Sequence, residues 1–141
     1  MDNRLLGLAK IAGLLEIGDE SVNLAARLKK AKLILSACDA SDGSKRRAHG
    51  YAELYGAVHL ILPSSKEELS AVIGRGSPGM LAILDDGIAS KYASLLAQED
   101  QTQYAETAGL LAEKAERALR RRAEANAHIR NKRTGKRRTI K

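Results

Sequence analysis

Apolar residues along the first two thirds of the chain follow two alternating rhythms: helical spacings of three and four, and short continuous runs that suit buried strands. A first helix carries Leu5, Leu6, Leu8, Ile11 and Ala12 as its stripe, with Asp2 placed to cap it and Gly13 placed to take the left-handed conformation at its end. A short strand over 14–17 follows. Gly18 and Asp19 turn the chain into a second helix that buries Val22, Ala25, Ala26 and Leu28 and points Arg27, Lys29 and Lys30 outward. The run 33–38 is the first strong strand. Residues 39–43 read as turn and cap, and a third helix over 45–55 is stopped by Gly56. A strand over 58–62 ends at Pro63, and Ser65 with Glu68 three residues on is a capping-box pattern for a fourth helix reaching Ile73. A loop rich in glycine leads to a last strand over 80–84, after which Asp85, Asp86 and Gly87 open a fifth helix bearing Ile88, Tyr92, Leu95 and Leu96. Strands separated by helices predict an α/β fold, a three-layer α/β/α sandwich around a mixed sheet of about four strands.

A different pattern takes over beyond the fifth helix. Tyr104, Ala108, Leu111, Ala115, Ala118 and Leu119 recur at helical spacing, and Glu113 with Arg117 and Glu116 with Arg120 stand four apart as ion pairs. This predicts an Ala-rich charged helix ending near Ala127, with a stripe too narrow to bury much area. The chain therefore divides into an α/β domain over 1–98, a charged helix over 99–128 and a basic tail over 129–141. The tail lacks any apolar period and is expected to be disordered until it meets a partner.

Charge sharpens that division. The stretch 113–141 holds twelve Lys/Arg against three Asp/Glu, whereas everything before it holds twelve against fourteen. The formal net charge of +7 therefore belongs wholly to the helix and tail. The chain has neither Trp nor Phe, so its core is aliphatic, and its only cysteine, Cys38, lies in an apolar run where plain core packing is expected. No signal-peptide pattern opens the chain and no apolar window approaches the ~18 residues of a membrane span, so a soluble, cytoplasmic protein with no membrane partner is expected.

Catalytic chemistry finds little to build on. His49 and His59 lack a third ligand at metal spacing and read as structural histidines, so no metal site is expected. Asp39, Asp42, Asp85 and Asp86 stand beside helix starts, where capping explains them. Gly74, Gly76 and Gly79 resemble a phosphate loop in composition, but the order is helix, loop, strand and no Gly-Lys-Ser/Thr follows. With no nucleophile and base in evidence, no enzyme and no cofactor are expected.

Several blocks in order carry a resemblance: Leu5-Leu6-Gly7-Leu8-Ala9 with Ala12-Gly13, the segment 18–25, Ala31-Lys32-Leu33-Ile34-Leu35, Asp39-Ala40-Ser41, and Leu54-Tyr55-Gly56-Ala57-Val58. Ser65-Lys66-Glu67-Glu68-Leu69, Ile73-Gly74 and Asp85-Asp86-Gly87-Ile88-Ala89-Ser90-Lys91 continue it. Over about residues 1–97 the chain resembles the ribosomal L-seven-Ae / L-thirty-e family, and within it the bacterial YlxQ-like subgroup. The resemblance implies binding of structured RNA, typically a kink-turn, through the start of the second helix and the loop before the last strand. In the family an Asn-Glu pair one turn ahead of a Lys reads sheared G·A pairs there. Here Glu20, Ser21 and Leu24 stand at those three positions, and a glutamate cannot donate as an asparagine amide does. The fold is expected to persist while conventional kink-turn reading is lost.

The candidate RNA-binding residues follow from both readings. Gly18, Asp19, Glu20 and Ser21 form the helix start, and Lys29, Lys30 and Lys32 are cations nearby in sequence. By resemblance, Lys66, Pro78 and Met80 line a pocket for an extruded base, with Ser70 in place of a usual glycine and Arg75 as an extra loop cation. Arg117, Arg120 and Arg121 on the helix, and Arg130, Lys132, Arg133, Lys136, Arg137 and Arg138 in the tail, are expected on phosphates. The expected partners are RNA, ribosomal or otherwise structured, and ribosomal proteins; the expected role is a non-catalytic RNA-binding protein of the ribosome or translation apparatus. The competing expectation is a protein-interaction module of the same fold.

Overall fold

A computed structural model describes the backbone of residues 1–74 and 76–139, and the side chains of 1–74 and 76–130. The elements run α1 (Arg4–Ile11), β1 (Leu15–Ile17), α2 (Asp19–Arg27), β2 (Leu33–Ser36), α3 (Asp42–Tyr55), β3 (Val58–Ile61), α4 (Lys66–Ile73), β4 (Met80–Ile83), α5 (Asp86–Glu99) and α6 (Gln101–Thr139). The sheet is four-stranded in the order β1-β4-β2-β3. β2 and β3 are parallel, with Leu35 opposite Leu60, while β4 runs antiparallel to both its neighbours, with Leu81 opposite Leu35 on one side and Ile17 on the other. The mixed three-layer sandwich expected from the sequence is the fold observed.

Strand alternation sends successive residues to opposite faces, and two cores result. Leu33, Leu35, Leu81 and Ile83 face α1, α4 and α5, where Leu6, Leu69, Ile73, Tyr92 and Leu96 pack with them. Ile34, Met80 and Ala82 face α2 and α3, where the fillers are Val22, Ala25, Ala26, Ala48 and Ala52. Small side chains on that second face let both helices lie close to the sheet. Polar atoms inside the first core are matched: Tyr92 O–H donates to Asn3 Oδ1 at 2.7 Å, and Asn3 Nδ2 donates to Ser64 Oγ at 2.9 Å.

Local chemistry explains the element ends. Ser41 accepts the Ser44 N–H, Ser65 and Glu68 close the expected capping box, and Asp85 accepts the Ile88 N–H. Asp2 accepts the Arg4 N–H at 2.9 Å, as expected of a cap, although it stands one residue before the N-cap position of α1. Its carboxyl is held down at about 2 by the hydrogen bonds from Arg4.

Several expectations need correction. Cys38 is exposed rather than packed in the core. β2 closes at Ser36, and by Cys38 the chain has left the sheet, its N–H bound to the Ser64 carbonyl and its own carbonyl taken by Lys45 Nζ. Leu8 and Ile11 are exposed, because α1 is buried only along Leu6 and Ala9, and Leu28 is exposed because α2 has already ended at Arg27. α3 starts earlier than expected, at Asp42, since Ser41 rather than a later residue caps it.

The C-terminal helix departs most from its expected form. Tyr104, Ala108, Leu111 and Ala118 are buried as the spacing requires, but Leu119 is exposed and the pairs Glu113–Arg117 and Glu116–Arg120 do not close. α6 doubles back along α5 after a single intervening residue, Asp100, and Tyr104 O–H donates to the Ile61 carbonyl at 2.7 Å. A bond from Arg122 to Asp85 at 3.7 Å marks how far along α5 it reaches. Tyr104, Ala108 and Leu111 of its stripe join the first core. Its helical backbone also continues beyond Ala127 to Thr139, consistent with the good helix propensity of Lys and Arg.

Candidate functional site

Every strand of this sheet has one end where β1, β2 and β3 finish and β4 begins. α2, α3 and α4 all start there, because each follows a strand that finishes there. Three helix N-termini thus bring their partial positive ends to one edge of the sandwich; the first turns of α3 and α4 are capped by Ser41, Ser65 and Asp39, whereas the start of α2 has no side-chain cap. Gly18 makes the tightest of these turns: it is the N-cap of α2 at φ 94°, a conformation that favours glycine, and its N–H donates to the Met80 carbonyl at 2.9 Å. That bond couples the start of α2 to the start of β4.

Around it the side chains are arranged in pairs. Asp19 accepts from Tyr51 O–H at 2.6 Å and from the Arg47 guanidinium, which ties α2 to α3. Those two bonds hold its carboxyl below the ordinary range, and the same contact pushes the Tyr51 phenol up. Glu20 is exposed beside it, with Ser21 half-buried and Leu24 exposed one turn on. Across the edge, Asp39 accepts the backbone N–H of Lys66 at 2.8 Å, so this aspartate caps α4 rather than α3. Gly79 sits in the crevice between them: a methyl in place of its hydrogen would lie 3.5 Å from Ala40 Cβ and 3.8 Å from both Lys66 Cδ and Ser44 Oγ.

The candidate residues therefore fall into separate groups. Gly18, Asp19, Glu20, Ser21 and Lys66 do meet at this edge, joined by Lys45, Arg47 and Tyr51, which sequence reasoning did not single out. Pro78 and Met80 also belong to it but are buried, and Met80 packs in the core beneath α2 and α3 rather than lining an open pocket. Arg75 lies outside the described residues. Lys29 and Lys32 are at the opposite edge, where they line a groove with Arg117 and Arg121 of α6; Lys30 is exposed next to Lys29, and Arg120 stands on α6 beside Arg117, Arg121 and Glu124. Arg130 is exposed far along α6, and the side chains of Lys132, Arg133, Lys136, Arg137 and Arg138 lie outside the described residues. Lys114, missed in the sequence, joins the groove; its position three residues before Arg117 was the available signal.

The histidines have structural surroundings. His59 shares a 2.8 Å hydrogen bond with the Ser36 hydroxyl, and burial together with nearby His49 holds its imidazole down at about 4. His49 in turn pairs with Glu53 at 3.0 Å.

Known proteins are similar to this chain in sequence and in fold. Over 92 residues, 65% of this chain and 87% of its relative, the sequence is 33% identical to the RNA-binding protein YlxQ of Enterococcus faecium. A solved protein of unknown function from Bacillus halodurans C matches with a TM-score of 0.61 at 26% identity, covering 66% of this chain and 93% of that one. The Giardia lamblia 15.5kD RNA binding protein matches with a TM-score of 0.54 over 67% of this chain and 81% of its own, and at 17% identity it shares the fold alone. No protein-family profile matches the chain.

Proposed function

This chain belongs to the L-seven-Ae / YlxQ-like family, and from that premise we propose that it is a non-catalytic RNA-binding protein of the ribosome or translation apparatus. The α/β domain grips structured RNA at the edge where α2, α3 and α4 begin, and the basic tail adds phosphate contacts. The observation that carries the reading is the convergence of the α2 start, Lys66 and Gly79 at one edge of the fold that an RNA-binding relative shares. The uncapped start of α2 supplies N–H donors to phosphate, and Lys66 supplies a charge. Ribosomal proteins are the expected protein neighbours, and the cytoplasm the expected compartment.

With Glu20 exposed and Asp19 engaged by Arg47 and Tyr51, this edge lacks the donors of a sheared G·A reader, so its recognition is of shape rather than of the kink-turn. The test uses the full chain against a kink-turn RNA, a matched straight duplex and a folded ribosomal RNA fragment. Binding to the ribosomal fragment, no preference for the kink-turn over the duplex, and weakening by Lys66→Ala are expected. Absence of RNA binding at physiological salt would overturn the function, and a strong kink-turn preference would overturn the mode.

A second reading, as a protein-interaction module, draws on Leu24 and Leu28. They are 49% and 55% exposed, Leu24 on α2 and Leu28 four residues on at its C-cap. If that face serves a protein, Leu24→Lys will abolish the protein contact and leave RNA affinity unchanged or higher.

A further inference from the structure

At the edge opposite the helix starts, where β2 begins and β4 ends, α6 closes over the domain and creates a groove of about 400 Å³. Lys29, Lys32, Lys114, Arg117 and Arg121 line it against a single carboxylate, Asp86. Only Lys32 is near that carboxylate, at 4.0 Å; the other four cations make no ion pair among the described residues. A fold gains nothing by gathering like charges in a concavity, where their repulsion is screened less than on open surface.

Lys29 adds an independent observation. α2 ends in a Schellman arrangement, with the Lys29 N–H on the Ala26 carbonyl and the Lys30 N–H on the Ala25 carbonyl, both at 2.9 Å. The residue at its left-handed position is ordinarily glycine, yet here it is Lys29 at φ 59°, the only non-glycine with positive φ among the described residues. Such strain costs on the order of 1 kcal/mol and clusters where a side chain is needed. Helix C-termini attract cations, which accounts for one lysine at the end of α2. It does not account for three more cations aimed at the same place from α6, where Lys114, Arg117 and Arg121 follow one helical face.

We propose that this groove is a second phosphate site for RNA, so that the chain holds backbone at both edges of the sheet. About 13 Å of strand separates the two sites at 3.3 Å per residue, so they contact different phosphates. The proposal rests on the RNA-binding reading above, and the experiment separates the two. The affinity of the full chain for a fluorescein-labelled oligouridylate is measured across a salt series for the wild type, Lys66→Ala, Lys29→Gly, and the triple variant Lys29→Gly/Arg117→Gln/Arg121→Gln. Removing three phosphate contacts lowers the slope of log affinity against log salt by about 2 to 3. Lys29→Gly alone weakens binding while melting no lower than the wild type, a combination that a purely structural lysine does not produce. Lys66→Ala and the triple variant act additively, as separate sites do. If the wild type binds and the triple variant keeps its slope, the groove is not an RNA site although the RNA function stands. If polyglutamate displaces the groove-bound probe as well as unlabelled oligouridylate does, the groove recognises acidic protein segments and the assignment to RNA is wrong. If the wild type binds no RNA, function and groove site fall together.

Discussion

Single side chains in the first core carry sharply different weights. Tyr92 is fully buried, and its O–H is one of the bonds that satisfy Asn3. Tyr92→Phe leaves the Asn3 Oδ1 without its donor, so a loss of about 1–3 kcal/mol is expected in the urea unfolding free energy. Burial also pushes the Tyr92 phenol well up, so this group stays neutral through the ordinary pH range. His59 brings a pH-dependent contribution with a defined window. Its ordinary value is 6.5 and the folded value about 4, so between those limits the unfolded chain binds the extra proton. Stability is therefore intact above about 6.5 and is lost as pH falls towards 4; His59→Gln should flatten a plot of melting temperature against pH over that window. Sequence alone placed these two residues on a helix and a strand but left their partners invisible, since Tyr92 and Asn3 are 89 positions apart, His59 and Ser36 are 23 apart, and each pair meets only through the fold. Cys38 shows the converse error: an apolar run reads as buried, and only the register of β2 with β3 and β4 shows that the strand closes at Ser36.

Among the elements, α6 departs furthest from its sequence pattern. Its narrow stripe suggested little burial, yet Tyr104, Ala108 and Leu111 complete the core that α5 alone would leave open, and Ala118 is buried further along. Leu111→Ala is expected to destabilise the whole chain by roughly 2 kcal/mol or more, as in other buried leucine truncations, and the readout is a single cooperative urea transition shifted to lower concentration. A second, separate transition would show that α6 melts independently of the domain. The sandwich itself was legible because its signals are local: capping residues at Ser41, Ser65 and Asp85, glycines at the ends of α3 and α4, and β-branched or leucine runs between them. The docking of α6 was not, because an alanine stripe says that something close lies against it without saying what.

Across the whole molecule, charge and structure divide at different places. The excess of positive charge begins near Lys114, within the docked half of α6, so the basic region is partly body and partly extension. Deleting residues 129–141 removes seven cations and none of the buried stripe. Melting temperature should hold, while the salt slope for ribosomal RNA fragments falls by about 2 to 3 if half of those cations touch phosphate. Selectivity among sequences should survive, since phosphate contacts position and base contacts specify; an unchanged slope would remove the tail from the RNA interface. The edge that carries the family resemblance was readable as a place but not as a chemistry, because Asp19 is spoken for by Arg47 and Tyr51, two residues of another helix.

The 39 residues of α6 have a kinetic corollary. At 1.5 Å of rise per residue the helix is about 58 Å long, and roughly 25 Å of it lies past Arg122, which pairs with Asp85 at the start of α5. A body near neutrality that carries its positive charge on so long a boom has a large electric dipole moment. In the field of a polyanion such a particle rotates before it arrives, so collisions begin at the far end of the helix and travel inward. On the proposed RNA-binding function, association would then have an order in time, first the boom and then the body, with the speed of the first event set by ionic strength and the lifetime of the second by fit.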